Sequence, residues 1–143
     1  SDSLFRIPLF GPWLRWLGGL PIDRSSPQGV VGHLLGLFQQ NQHSENYLWL
    51  GLSPEGTRSL TAGWRSGFYQ LALQAKVPLC MVRIDYAQKH VNCANFMMLS
   101  GDEAMDYAHI SKVYEGVVGF HAGQAAPVRP LKFTDTSLTR RSP

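Results

Sequence analysis

The sequence predicts an α/β domain in which a mixed sheet is flanked by helices. Apolar runs of strand length at residues 47–52 and 77–86 stop at Pro, Gly or polar clusters. Residues 28–40 and 67–75, each preceding one of those runs, repeat apolar side chains at helical spacing. Residues 91–100 then offer a further strand one turn after the 77–86 run, which completes an alternation of the two element types. A chain of 143 residues is long enough for one domain that buries roughly two-thirds of its unfolded surface.

Residues 4–17 open the chain with Pro12, Trp13, Leu14, Trp16 and Leu17, with Arg6 and Arg15 as the only charges. A helix there either packs on a sheet or lies at a membrane interface. Gly18 and Gly19 suit its left-handed cap, and residues 20–22 form a short entry strand that delivers Asp23 and Arg24 at its end. Ser25, Ser26 and Pro27 read as a cap and turn into the 28–40 helix, whose apolar face is Val30, Val31, Leu34, Leu35 and Phe38, with His33 at the boundary. Strand, helix, strand in that order favours a parallel pair joined by a crossover.

The run at 47–52 is expected as a buried strand ending in Pro54-Glu55-Gly56-Thr57-Arg58-Ser59. The carboxyl end of a strand is where α/β sheets bind ligands. Arg58 offers a planar fork of donors for a phosphate or carboxylate, Thr57 and Ser59 add hydroxyls, and Gly56 admits a close backbone approach. Glu55 would orient that guanidinium or receive a substrate hydroxyl. On spacing alone an ordinary polar turn with a surface ion pair stays open.

Phe68, Leu71, Ala72 and Ala75 mark the next helix, with Arg65 near its amino end. Residues 77–86 are nearly continuous in apolar side chains up to Val82, which predicts a strand buried on both faces with Pro78 in its first positions. A turn at 87–90 leads to the 91–100 strand as a hairpin, with Met97 and Met98 as core filler. Gly101 and Asp102 start a helix running to about residue 118. Residues 124–143 then read as a Pro- and Gly-containing tail lying loosely over a domain of residues 1–123.

Composition narrows the function classes. Hydrophobic residues make up 44% and charged residues 16%, with four Trp and seven Phe, so some rings are expected at a lipid-facing or partner-facing surface. The net charge of +3 is dispersed apart from Arg140 and Arg141, which argues against nucleic acid and keeps an anionic small ligand or membrane surface open. Cys80 and Cys93 lack metal-like spacing and are expected as buried thiols of a reducing cytoplasm. No apolar run approaches the roughly 18 residues of a spanning helix.

Three stretches together resemble the phospholipid/glycerol acyltransferase superfamily, of the bacterial lysophosphatidate acyltransferase type. Residues 19–24, ending in Asp23 and Arg24, are similar to its second block, whose arginine is associated with the acceptor phosphate. Residues 54–59 resemble the third block and are the most specific of the set, and Val77, Pro78 and Leu79 resemble the start of the fourth, near the acyl chain. Ser53 departs from a common aromatic residue, and Cys80 and Met81 stand where a second proline is common.

The resemblance implies transfer of a fatty acyl group from acyl-CoA or acyl carrier protein to a hydroxyl of a glycerophosphate or lysophospholipid. The implied setting is phospholipid synthesis at the inner face of the cell membrane, with no metal or redox cofactor. Arg24, Gly56, Thr57, Arg58 and Ser59 become the phosphate-binding set, and Glu55 is the carboxylate that positions the loop or the acceptor. The family's first block, a His followed five positions later by an Asp, supplies the general base. Here the residues five beyond His33, His43, His90, His109 and His121 are Phe38, Leu48, Asn95, Tyr114 and Ala126. The chain therefore reads as a domain without its front end, inactive as given, and a non-catalytic lipid- or phosphate-binding remnant is the alternative.

Overall fold

The structure is a computed structural model that describes residues 27–41, 47–57 and 59–131. These fall into two compact units, one ending at Tyr47 and the other beginning at Leu48. The first contains helix α1 (Pro27–Asn41), with Leu34 buried, Val30, Val31, Leu35 and Phe38 half-buried and His33 exposed, as its spacing predicts. Asn41 finishes it by donating its Nδ2 to the carbonyl of Leu37 at 3.0 Å. The expected helix at 12–17, the entry strand at 20–22, the cap at Ser25 and Ser26, and Arg24 lie outside the described residues.

The second unit carries helix α2 (Gly67–Ala75), strands β1 (Leu79–Asp85) and β2 (His90–Met97), helix α3 (Glu103–Val113) and a 3-10 turn at Ala122–Gln124. β1 and β2 pair antiparallel, and theirs is the only sheet among the described residues. Among the described residues the sheet is thus an antiparallel hairpin in a mixed α/β chain, and the expected parallel partner at 20–22 lies outside them. Residues 47–52 form no strand, since they have no ladder partner among the described residues, and Tyr47 and Trp49 are 92% and 76% exposed. Apolar content alone does not make a strand, which also needs a neighbour to accept its backbone hydrogen bonds.

The hairpin turns over residues 86–89, where the Asp85 carboxylate accepts from the backbone N–H groups of Ala87 and Gln88 at 2.9 and 3.1 Å. Between the pairs Met81↔Asn95 and Arg83↔Asn92 the register slips, so β2 carries one extra residue as a bulge. Asn92 braces it by accepting the backbone N–H of Ala94 through Oδ1 at 3.1 Å. Only one face of the hairpin is covered: Met81 is buried, whereas Val82 and Ile84 are 46% and 52% exposed. The expectation of burial on both faces is therefore corrected, as is core placement for Met98 and a buried thiol for Cys93, both of which are exposed. Met97 does pack against the core, and Cys80 is half-buried.

That core joins Trp64, Phe68, Tyr69, Met81, Tyr107, Ile110 and Ala126. Its rings meet edge-on or tilted, Trp64 with Phe68 at 5.8 Å and with Tyr114 at 5.2 Å, and Tyr69 with Tyr107 at 5.8 Å. α3 is shorter than the sequence suggests, since Tyr114 caps it and Gly116 takes φ +75°. Arg83 donates to the Val113 carbonyl at 3.2 Å, placing a cation at the end of α3 where the helix dipole is negative. Of the stretch read as a tail, residues 124–131 include Ala126 of the core, and residues 132–143 lie outside the described set.

One buried carboxylate ties these pieces. Asp106, 3% exposed, accepts from the Tyr69 hydroxyl at 2.8 Å, the Ser100 hydroxyl at 2.8 Å, and the backbone N–H groups of Ser100 and Gly101 at 3.1 and 3.2 Å. Burial pushes its pKa up, but the hydrogen bonds from Ser100, Tyr69 and Gly101 outweigh burial and hold it below the ordinary carboxylate value. Burial and the same bond push Tyr69 up to about 12. Asp106→Ala is expected to cost about 3 kcal/mol, since it strands two hydroxyls and two amides, as measured by urea unfolding. Because the folded pKa lies below the unfolded value of about 3.9, this stability is present above that pH and is lost as pH falls through the folded pKa. In Asp106→Asn that acid-side component should vanish, and a pH profile matching that of the unaltered protein would refute the assignment.

Candidate functional site

Residues 53–57 turn back on themselves, with the Gly56 N–H donating to the Ser53 carbonyl at 3.2 Å. Gly56 sits at φ +66°, a conformation that glycine adopts at no steric cost. A Cβ there would also lie 2.9 Å from Cδ and 3.1 Å from Nε of Arg65, so the arginine side chain rests directly on this glycine. The two are joined through the backbone as well, because the Arg65 N–H donates to the Pro54 carbonyl at 2.9 Å.

Beyond the turn, the Ser59 N–H donates to the Thr57 hydroxyl oxygen at 3.2 Å, which leaves the Thr57 hydroxyl proton for another acceptor. Ser59 is exposed, as is Leu60. Thr61 donates its hydroxyl to the Gly63 carbonyl at 2.9 Å and so closes the loop before Trp64. α2 starts at Gly67 with Ser66 as its cap residue, whose side chain makes no capping bond. The start of α2 is thus tied to the loop through Arg65, and the Ser66 carbonyl, not its side chain, accepts from the helix, taking the Gln70 N–H at 2.9 Å.

A second segment braces the loop from outside. The Glu55 carboxylate accepts the Ala126 N–H through Oε1 at 2.9 Å, across 71 residues of sequence. Trp64 forms a parallel bridge with Pro130, donating to the Arg129 carbonyl at 2.8 Å and accepting from the Leu131 N–H at 2.8 Å. Gly63 permits this approach, since a Cβ there would fall 2.6 Å from the Arg129 carbonyl oxygen. Glu55 therefore fastens the loop to residues 126–131.

Among the sequence-predicted site residues, Glu55, Gly56, Thr57 and Ser59 share this one loop, while Arg24 and Arg58 lie outside the described residues. Val77 and Leu79 are half-buried and Pro78 is exposed, all three beyond the carboxyl end of α2. Nine helical residues put that end about 13 Å from the Arg65 end. Lys76 caps α2 in the left-handed conformation, and the Val77 N–H donates to the Ala72 carbonyl at 3.2 Å. The described histidines, His33, His90, His109 and His121, are exposed on other elements. Among the described residues no three His, Cys, Asp or Glu side chains gather closely enough to hold a metal ion. Sequence reasoning missed the partner of Glu55, since nothing about Ala126 marks it as one. It did single out Arg65, though not its seat on Gly56.

The acyltransferase family model matches residues 1–85, which is 85 of the 143 in the sequence. That stretch contains Arg24, the 54–59 loop, α2 and all of β1. No curated protein and no solved structure matches the chain. With more than half its length matched, and with blocks consistent with the phospholipid/glycerol acyltransferase superfamily, the chain belongs to the acyltransferase family.

Proposed function

We propose that this chain serves transfer of a fatty acyl group from an acyl thioester, on coenzyme A or acyl carrier protein, to a hydroxyl of a glycerophosphate or lysophospholipid acceptor in phospholipid synthesis. The observation that carries the reading is that the family match runs through the polar loop at 54–59. In this reading Arg24 and Arg58 hold the acceptor phosphate with Gly56, Thr57 and Ser59, and Val77, Pro78 and Leu79 border the acyl chain. The protein would work against the inner face of the cell membrane. Rings and arginines at residues 5–16 support that contact, and among the described residues no helix is long and apolar enough to cross a membrane.

In the reaction the acceptor oxygen attacks the thioester carbonyl, a base takes its proton, the carbon–sulfur bond breaks and the thiolate leaves to be protonated. An alcohol is a poor nucleophile until that proton is removed in the transition state. Residues 1–143 contain no His followed five positions later by Asp, which favours a second reading: these residues bind lipid phosphate without completing turnover.

Three outcomes follow from this reading. Arg58→Ala should weaken binding of lysophosphatidate by about 1.5–3 kcal/mol and leave a phosphate-free analogue unaffected in calorimetric titration. Equal losses for both ligands would remove the arginine from the phosphate. Glu55→Ala should cost about 1–2 kcal/mol of stability by freeing the buried-segment amide of Ala126, whereas Glu55→Gln, which keeps an acceptor oxygen, should cost less. Unchanged thermal unfolding in both would deny Glu55 its bracing role. Finally, the 143-residue chain should consume acyl thioester negligibly, because a general base contributes about 10²–10⁴-fold. The same chain joined upstream to a His–Asp block should recover turnover. Comparable rates from both would mean that the base is among the residues present.

A further inference from the structure

The Arg65 side chain is exposed, yet it lies along Gly56 rather than extending into solvent. Its backbone N–H is fixed to the Pro54 carbonyl at 2.9 Å, so the side chain starts from a position set by the loop itself. Its guanidinium makes no hydrogen bond or ion pair with another described residue. Glu55, the nearest carboxylate in sequence, gives one oxygen to Ala126. A guanidinium held on a glycine of a polar loop, with the Thr57 hydroxyl proton and the Ser59 hydroxyl one and three residues on, places three donor groups on one short stretch.

We propose that Arg65 is a binding residue for a phosphomonoester at this loop, its guanidinium closing over Gly56 to hold the anion with the Thr57 and Ser59 hydroxyls. The proposal rests on the phosphate reading of the 54–59 loop and adds a residue that this reading does not include. A planar fork matches two phosphoryl oxygens at once, which an ammonium cannot do. Gly56 fits the same role: with no Cβ, it lets the arginine stem lie flat on the backbone. The phosphomonoester could belong to a glycerophosphate acceptor or to the 3′-phosphate of a coenzyme A donor, and the two sources are separable by titration.

The test uses the 143-residue chain and Arg65→Met, which keeps an unbranched apolar stem over Gly56 but removes the charge, together with Arg65→Lys and Arg58→Ala. Each is titrated calorimetrically with glycerol 3-phosphate, glycerol, coenzyme A and dephospho-coenzyme A. Arg65→Met should lower affinity for the phosphomonoester ligands about tenfold or more and leave glycerol and dephospho-coenzyme A unchanged, with Arg65→Lys recovering part of the loss. Loss confined to glycerol 3-phosphate assigns the acceptor, and loss confined to coenzyme A assigns the donor. If Arg65→Met binds all ligands like the parent while Arg58→Ala loses phosphate affinity, the proposal fails and the loop reading survives. If neither variant changes phosphate affinity, or the parent chain binds no phosphomonoester better than its phosphate-free counterpart, both fall.

Discussion

The hydrogen bonds gathered on Asp106 are the constraint on which the second unit depends. A carboxylate of this burial is tolerated only when its lone pairs are filled, and here the donors come from two places, Tyr69 on α2 and Ser100 and Gly101 after β2, and meet on a residue of α3. α2 can therefore occupy only the place where its Tyr69 hydroxyl reaches that oxygen. Since Trp64, Arg65 and the cap residue Ser66 lead into α2, the carboxylate indirectly sets where the 53–65 loop ends. Among the described residues Tyr69 and Ile110 are the largest fully buried side chains, one bonded to Asp106 and the other one turn further along α3, so polar and apolar anchoring coincide.

Much of this architecture was legible in the sequence, for local reasons. α1 and α2 announce themselves by apolar spacing, and the hairpin by two strand-like runs around a polar turn. Asp102 reads as a helix start because its carboxylate can accept an early amide, and it accepts that of Met105 at 3.1 Å. The errors have equally definite causes. A continuous apolar run suggested a strand covered on both sides, but Val82 and Ile84 face outward while Met81 packs inward. Period-2 geometry sends neighbours to opposite faces whatever their polarity, so apolar character reports what a face could bury, not what covers it. Residues 47–52 make the same point for the backbone, because pairing belongs to two segments and composition to one.

The site was legible at the level of residue type and illegible at the level of support. The 54–59 motif named its carboxylate, glycine and hydroxyls correctly as one loop. It said nothing of what holds that loop still. A carboxylate beside an arginine in sequence suggests an ion pair, yet the described partner of Glu55 is a backbone amide 71 residues away. Contacts across such separations leave no periodic trace, since each requires only an N–H at the right place and any residue except proline provides one.

This division has a consequence for how the loop keeps its shape. The family match ends at residue 85, but the groups that brace the loop, the Ala126 amide and the backbone of residues 129–131, lie well beyond it. The loop lies in the matched stretch, and part of what holds it lies in the later one. Gly63 is where the two meet: an oxygen 2.6 Å from where a Cβ would stand leaves room for no side chain, so the end of the loop and residues 129–131 are fitted to each other at backbone resolution. In the proposed reading the loop surrounds an anion, and such a loop cannot rely on the ligand alone to order it, because ordering entropy spent on binding is lost from affinity. Fastening Glu55 to Ala126 and Trp64 to residues 129–131 would meet that cost during folding.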